Sequence, residues 1–254
     1  MRGARILAVA VASALALSGC SADREKNDAV PPAVDVGRLD PEHPGNGIWL
    51  IPQDGVISQI TRAVREAGAV TYSGTVTELI VPENTREDPT PGRTLEVAYT
   101  GSDGQMMAEL SADGMTVRII ATERGTYVTG DAAYADHIGI GRVASGWVCL
   151  PTPGAVLAEW EPLLDPAELV RTLLTSVESV AVMEPAPDAE TTSVYLGTGD
   201  TPQGEMTISA VGDPLPRDFL AGDLSGDGSF RFGDWGEQPP IDAPGDVVVA
   251  CGAE

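Results

Sequence analysis

Between residues 70 and 119 the chain repeats one pattern, an apolar residue at every second position, broken by short turns. Val70, Tyr72, Gly74 and Val76 alternate with Thr71, Ser73, Thr75 and Thr77. The same period returns at Leu95, Val97 and Tyr99, at Met106, Ala108 and Leu110, and at Met115, Val117 and Ile119. Successive side chains on a strand point to opposite faces, so this spacing gathers the apolar groups on one face and leaves the other half-solvated. Ser102-Asp103-Gly104 and Ala112-Asp113-Gly114 supply tight turns between the runs. The pattern predicts an antiparallel meander.

The flanks of the meander change period. Val56, Ile57, Ile60, Ala63, Val64 and Ala67 recur at helical spacing between Asp54 and Ala67, and Gly68 ends the run. A short strand is expected near Thr126 to Thr129, followed by an irregular section holding Tyr134, Trp147 and Cys149. A second helix is expected from Asp165 to about Val177, with Asp165 as N-cap, Pro166 at the first helical position and Glu168 three residues past the cap. Its apolar stripe is Leu169, Val170, Leu173 and Leu174. Three further strands follow around Val180 to Val182, Val194 to Leu196 and Met206 to Ile208. A turn at Gly226-Asp227-Gly228 leads to Phe230 and Phe232, then Trp235, a Pro-rich tail and Val247 to Cys251. One sheet of many strands with two or three helices fits a single α+β domain over residues 51–254.

The chain's start carries different information. Arg2 and Arg5, an apolar run from Ile6 to Leu17 and the small-residue junction Leu17-Ser18-Gly19-Cys20 have the order of a secretory signal over residues 1–19. The run is too short to cross a bilayer as a mature helix. The junction resembles the lipobox of bacterial lipoproteins, which implies acylation of Cys20 and a mature chain anchored on the outer face of the cell membrane. Two acyl chains, at ~0.8 kcal/mol per buried CH₂, hold a protein durably on a bilayer. Residues 20–50, with Pro31, Pro32, Pro41, Pro44, Gly45 and Gly47 and no apolar period, read as a flexible tether with a reach on the order of 30 Å. Trp49, Leu50 and Ile51 mark the return to packed structure.

The formal net charge is −23 and becomes more negative once Arg2 and Arg5 leave with the signal. Such a field repels phosphate backbones, so nucleic acid is excluded as a natural partner, and membrane contact rests on the acyl anchor. With Cys20 used by lipid, Cys149 and Cys251 remain, and in an oxidising compartment they read as one disulfide. Two Cys with only His43 and His137 give no metal-ligand spacing, and Cys-x-x-Cys is absent. There is no Gly-x-Ser-x-Gly elbow and no phosphate-cradling loop ahead of a helix, so neither an enzyme nor a cofactor is expected. Asp223, Ser225, Asp227, Gly228, Ser229, Arg231 and Asp234 fall on positions of a calcium loop, yet Arg sits at position 9 and Asp at position 12 with no flanking helices; the hairpin reading is preferred. Met106, Met107, Met115, Met183 and Met206 all fall on expected strands, where thioethers suit either an ordinary core or a surface that adapts to alkyl chains.

The lipobox, Gly68-Ala69-Val70-Thr71-Tyr72-Ser73-Gly74-Thr75-Val76, Gly125-Thr126-Tyr127-Val128, Leu164-Asp165-Pro166-Ala167-Glu168-Leu169 and Asp234-Trp235-Gly236-Glu237 together resemble the LppX/LprG-type lipoproteins of mycobacteria, within the LolA-like superfamily. The resemblance runs from about residue 54 to 244. It implies a curved antiparallel half-barrel packed on two or three helices, with an apolar cavity between sheet and helices that takes the acyl chains of a lipid or lipoglycan. The residues that would line it are Val70, Tyr72 and Val76, Leu95 and Val97, Met106 and Leu110, Met115, Val117 and Ile119, Val194 and Leu196, and Met206 and Ile208. The chain departs from that pattern in its acidity, in Cys149 and Cys251, and in an acidic segment near Pro82 to Pro91. The expectation is therefore an envelope protein that binds, and carries, a lipid. The alternative is a non-enzymatic adaptor or sensor with a filled core and an envelope protein as partner.

Overall fold

The computed structural model describes residues 45–80, 90–199, 201–223 and 226–252. Packing starts before residue 51. The Asn46 amide donates to Ala210 O (2.7 Å), its side chain donates to Ser209 O (2.8 Å), and a 3-10 turn at Ile48–Leu50 is buried. Residues 46–50, expected as the end of the tether, are packed, and Ile48, Trp49 and Leu50 belong to the core.

Helix α1 (Gln53–Ala67) buries Val56, Ile60, Ala63 and Val64, as its periodicity requires. The meander follows as β1 (Val70–Ile80), β2 (Thr90–Ser102), β3 (Gln105–Ala112), β4 (Met115–Thr122) and β5 (Gly125–Gly130), all antiparallel. Next come α2 (Ala132–His137), a 3-10 turn at Gly141–Ser145, β6 (Trp147–Leu150), a single helical turn α3 (Gly154–Leu157) and a 3-10 turn at Glu161–Leu163. Asp131 caps α2, accepting from Tyr134 N (2.8 Å), and also accepts from Thr116 N (2.8 Å), which ties the helix start to β4. Helix α4 (Pro166–Thr175) starts at the expected cap, with Asp165 accepting from Ala167 N (2.9 Å) and Glu168 N (3.0 Å).

The second half forms β7 (Ser179–Val182), β8 (Thr191–Thr198), β9 (Thr201–Ser209), β10 (Pro216–Asp223), β11 (Gly226–Gly233) and β12 (Val247–Val249). All strands join one curved, unclosed sheet in the order β12-β6-β5-β4-β3-β2-β1-β11-β10-β9-β8-β7. The two meanders meet where β11 pairs with β1. Among the described residues only the outermost pair, β12 on β6, is parallel. There the Cys149–Cys251 disulfide closes a loop of 102 residues, with Cα atoms 5.1 Å apart, and fastens the chain's end to the sheet edge.

Aromatic cross-strand pairs hold the join. Tyr72 stacks on Tyr99 with ring centroids 4.6 Å apart, Phe232 lies 5.7 Å from Tyr72 on the other side, and Trp235 stacks on Phe232 at 6.1 Å. Trp235 Nε1 donates to Pro216 O (2.8 Å). Gly74 makes the seam possible: a Cβ there would lie 2.2 Å from Ser229 O and 2.5 Å from the Phe230 ring.

Two expectations are corrected. Gly226-Asp227-Gly228 is not a turn but the start of β11, because Gly228 is paired with Val76 on one side and Ala221 on the other. Asp227, Gly228, Ser229 and Arg231 of the calcium-loop pattern are drawn out along β11, at about 3.3 Å per residue, and are not wound into a loop. Ser225 of that pattern lies outside the described residues. Met107 and Met183 also differ from expectation: both face solvent, Met107 on the outward phase of β3 and Met183 just beyond the end of β7.

Candidate functional site

The inward phase of the strands and the buried stripes of α1 and α4 make one continuous core. The proposed lining residues are all in it or against it. Val70, Tyr72, Leu95, Val97, Met106 and Leu196 are buried, and Val76 and Met115 are partly buried against them. Leu110, Val117, Ile119, Val194, Met206 and Ile208 are 0% exposed. In this state the inner face is packed. Cys20 lies outside the described residues.

The core nonetheless contains unfinished hydrogen bonding. Tyr99 OH, Tyr134 OH, Trp160 Nε1, Trp49 Nε1 and Thr61 Oγ1 are buried without a partner among the described residues. Each such group costs about 1–3 kcal/mol of desolvation, so natural interiors contain few of them. Tyr72, by contrast, donates to Leu163 O at 2.6 Å. Burial raises the pKa of all three tyrosines, because it disfavours the phenolate. Tyr72 lies well above the ordinary phenol range, with Tyr99 and Asp165 adding to the effect. Tyr99 is also raised, first by burial and then by Asp103 and Asp165. Tyr134 is pushed up to about 12 by burial and by Glu159.

A polar cluster closes one end of this layer. Arg93 on β2 makes a bidentate pair with Glu78 of β1 (2.8 and 3.2 Å) and reaches Glu159 at 3.1 Å, while its guanidinium lies 5.7 Å from the Trp160 ring centroid. Glu159 also meets His137 Nε2 at 3.1 Å. Arg93 is held above even its ordinary value, chiefly by the hydrogen bond to Glu78. These contacts tie the segment between α3 and α4 to the β1–β2 hairpin and to α2. Nothing in the sequence pattern marked this cluster, since its members lie far apart in a chain rich in carboxylates.

The outer face differs. Strand register places Asp218, Arg231, Ser73, Ala98, Glu109 and Arg118 in one row across β10, β11, β1, β2, β3 and β4. Cavities of about 390, 370 and 390 Å³ open along this face, and Ser73 lines all three. The row leaves hollows at its middle because Ser73 and Ala98 carry small side chains. Among the described residues no group of three His, Cys, Asp or Glu converges as metal ligands, and no helix is long and apolar enough to cross a membrane.

No protein-family model matches the chain, and no curated protein sequence matches it. Among solved structures the chain is similar to LprF from Mycobacterium bovis, at 13% identity and a TM-score of 0.40, over 76% of this chain and 96% of that one. It is also similar to the lipoprotein LppX from Mycobacterium tuberculosis, at 13% identity and a TM-score of 0.39, over 75% of this chain and 100% of that one. Likeness at this level carries no argument about activity or ligand.

Proposed function

We propose that this is a lipid-anchored envelope protein, held on the membrane through Cys20, whose folded body binds the apolar part of a lipid or related amphiphile between sheet and helices. The observation that carries the reading is the set of donors without a partner among the described residues in an otherwise apolar interior: Tyr99 OH, Tyr134 OH and Trp160 Nε1. Trp N–H can only donate, and a phenol donates readily, so the interior is short of acceptors. Lipid ester and carbonyl oxygens are acceptors attached to alkyl chains. Burial of those chains supplies ~0.8 kcal/mol per CH₂, and the flexible thioethers of Met106 and Met206 suit a surface that must repack. Access then requires movement of the segment between α3 and α4, which the Arg93–Glu159–His137 contacts hold in place.

The test is mass spectrometry of lipids that co-purify with the full chain carrying Cys20→Ala, together with Val97→Trp and Val117→Trp. The reading predicts a bound lipid in the parent that is lost in both Trp variants while the melting temperature changes little. A second reading, an adaptor or sensor that binds another envelope protein, is favoured by the closure of the core over Leu110 and Val117. It predicts no co-purified lipid and a loss of ~1–3 kcal/mol in both Trp variants from overpacking.

A further inference from the structure

The outer face holds a second arrangement that neither reading uses. The cavity of about 390 Å³ nearest β6 is walled by the outward side chains of Ala98, Met107, Glu109, Arg118, Ile120 and Trp147. Met107 is 47% exposed, although no apolar residue of this size is needed on a solvated face. Arg118 lies 5.6 Å from the Trp147 ring centroid and has no carboxylate partner among the described residues. Its cross-strand neighbour Glu109 does not reach it as an ion pair, although register sets the two side by side. In a chain of formal charge −23, Arg118 is thus a cation with free donors, set at the edge of an apolar hollow. The cation–π contact with the indole holds the guanidinium over the ring without using its N–H donors as hydrogen bonds.

We propose that this hollow binds an anionic amphiphile, its acidic head on Arg118 and its apolar body against Met107, Ile120 and Trp147. The volume is that of a small-molecule site, and one charged anchor in a mostly apolar wall is the usual division of labour between orientation and affinity. Charge complementarity selects the occupant. A cationic head would be repelled by Arg118, and a neutral one would accept its hydrogen bonds without the added strength of an ionised acceptor. Glu109 works against an anion and sets a limit on affinity. The proposal rests on the reading that this protein handles amphiphiles, and it adds a place for them outside the core.

The experiment uses the full chain held in phosphatidylcholine nanodiscs, with empty discs as blank. Octyl sulfate, octanol and octyltrimethylammonium, which share one tail, are titrated below their micellar concentrations by calorimetry and tryptophan fluorescence. Saturable octyl sulfate binding at least about tenfold tighter than either of the others is expected, from one charge-assisted contact. Arg118→Gln should reduce octyl sulfate to the level of octanol, Glu109→Gln should tighten it, and Met107→Ser should weaken both octyl sulfate and octanol. Each of these residues is on the outer face, so an unchanged melting temperature separates loss of binding from loss of fold. Equal affinity for the three heads, no saturable binding, or no effect of Arg118→Gln overturns the proposal. Octyl sulfate binding lost in Val117→Trp but kept in Arg118→Gln overturns it while leaving the interior reading intact. Binding that follows Arg118 in a protein with no co-purified lipid keeps the outer site and removes the interior one.

Discussion

The two faces of the same five strands differ in almost every respect. Leu110 is fully buried, and its chain neighbours Glu109 and Ser111 look out to solvent or to polar partners, with Ser111 Oγ donating to Glu96 at 3.2 Å. The inner face meets helices and aromatic rings, whereas the outer face carries small and charged side chains with one apolar hollow at Met107, Ile120 and Trp147. A one-residue shift in register would exchange the two sets, which is why alternation in sequence determines the fold so strongly here. The inner face therefore carries stability, and the outer face is free to carry recognition.

Substitution of neighbours tests that division most directly. Leu110→Ala should cost about 2–5 kcal/mol by chemical denaturation, whereas Glu109→Ala should stay within about 0.5 kcal/mol. Similar costs at both positions would break the distinction. The sheet edge belongs to neither face. Cys251→Ser should lower stability by about 2–4 kcal/mol, because the disulfide it removes closes a loop of 102 residues. A melting temperature indifferent to reductant would show that β12 is held by pairing alone.

Gly125 sharpens the same boundary. Its φ is +138°, and a Cβ would lie 2.6 Å from Cys251 Sγ and 3.0 Å from Cys149 Sγ. Gly125→Ala should cost about 1–3 kcal/mol, and part of that cost should vanish when combined with Cys251→Ser. Strict additivity would mean that backbone conformation alone excludes the side chain.

The smallest effect at neutral pH, and a growing one in alkali, comes from the buried phenols. Their folded-state values are raised above 10, so the folded form retains protons that the unfolded chain releases. Their contribution is fully present below pH 10 and is lost as pH rises through the folded values, with Tyr134 at about 12. Absorbance of tyrosinate at alkaline pH should lag for Tyr134→Phe less than for the parent, and stability should fall above pH 10. A parent that titrates all its tyrosines together at 10 would contradict the burial of these rings.

Much of this architecture was legible because it rests on local rules. The strands of the meander follow period two, α4 begins at Asp165-Pro166 as its cap chemistry demands, and Cys149 with Cys251 were the pair left over for a disulfide. What was not legible depends on partners distant in sequence. Glycine at 226 and 228 reads as a turn until strands on both sides are known, and the parallel seat of β12 on β6 has no local signal. Alternation showed which residues share a face but not whether that face is packed or hollow. The Arg93–Glu159–His137 cluster and the Arg118–Trp147 stack are likewise products of assembly.

The seam between β1 and β11 has one more consequence. Thr75 and Ser229, whose hydroxyls face each other across it at 3.4 Å, are 154 residues apart in the chain. Closing so long a loop is entropically slow, and topologies dominated by such contacts fold in milliseconds to seconds. Until β11 has been synthesised, β1 has a neighbour on one side only, and the first meander is a sheet with an open flank. The last third of the polypeptide thus governs when the first third becomes fully native, so truncation near the C-terminus should be felt at the very centre of the sheet.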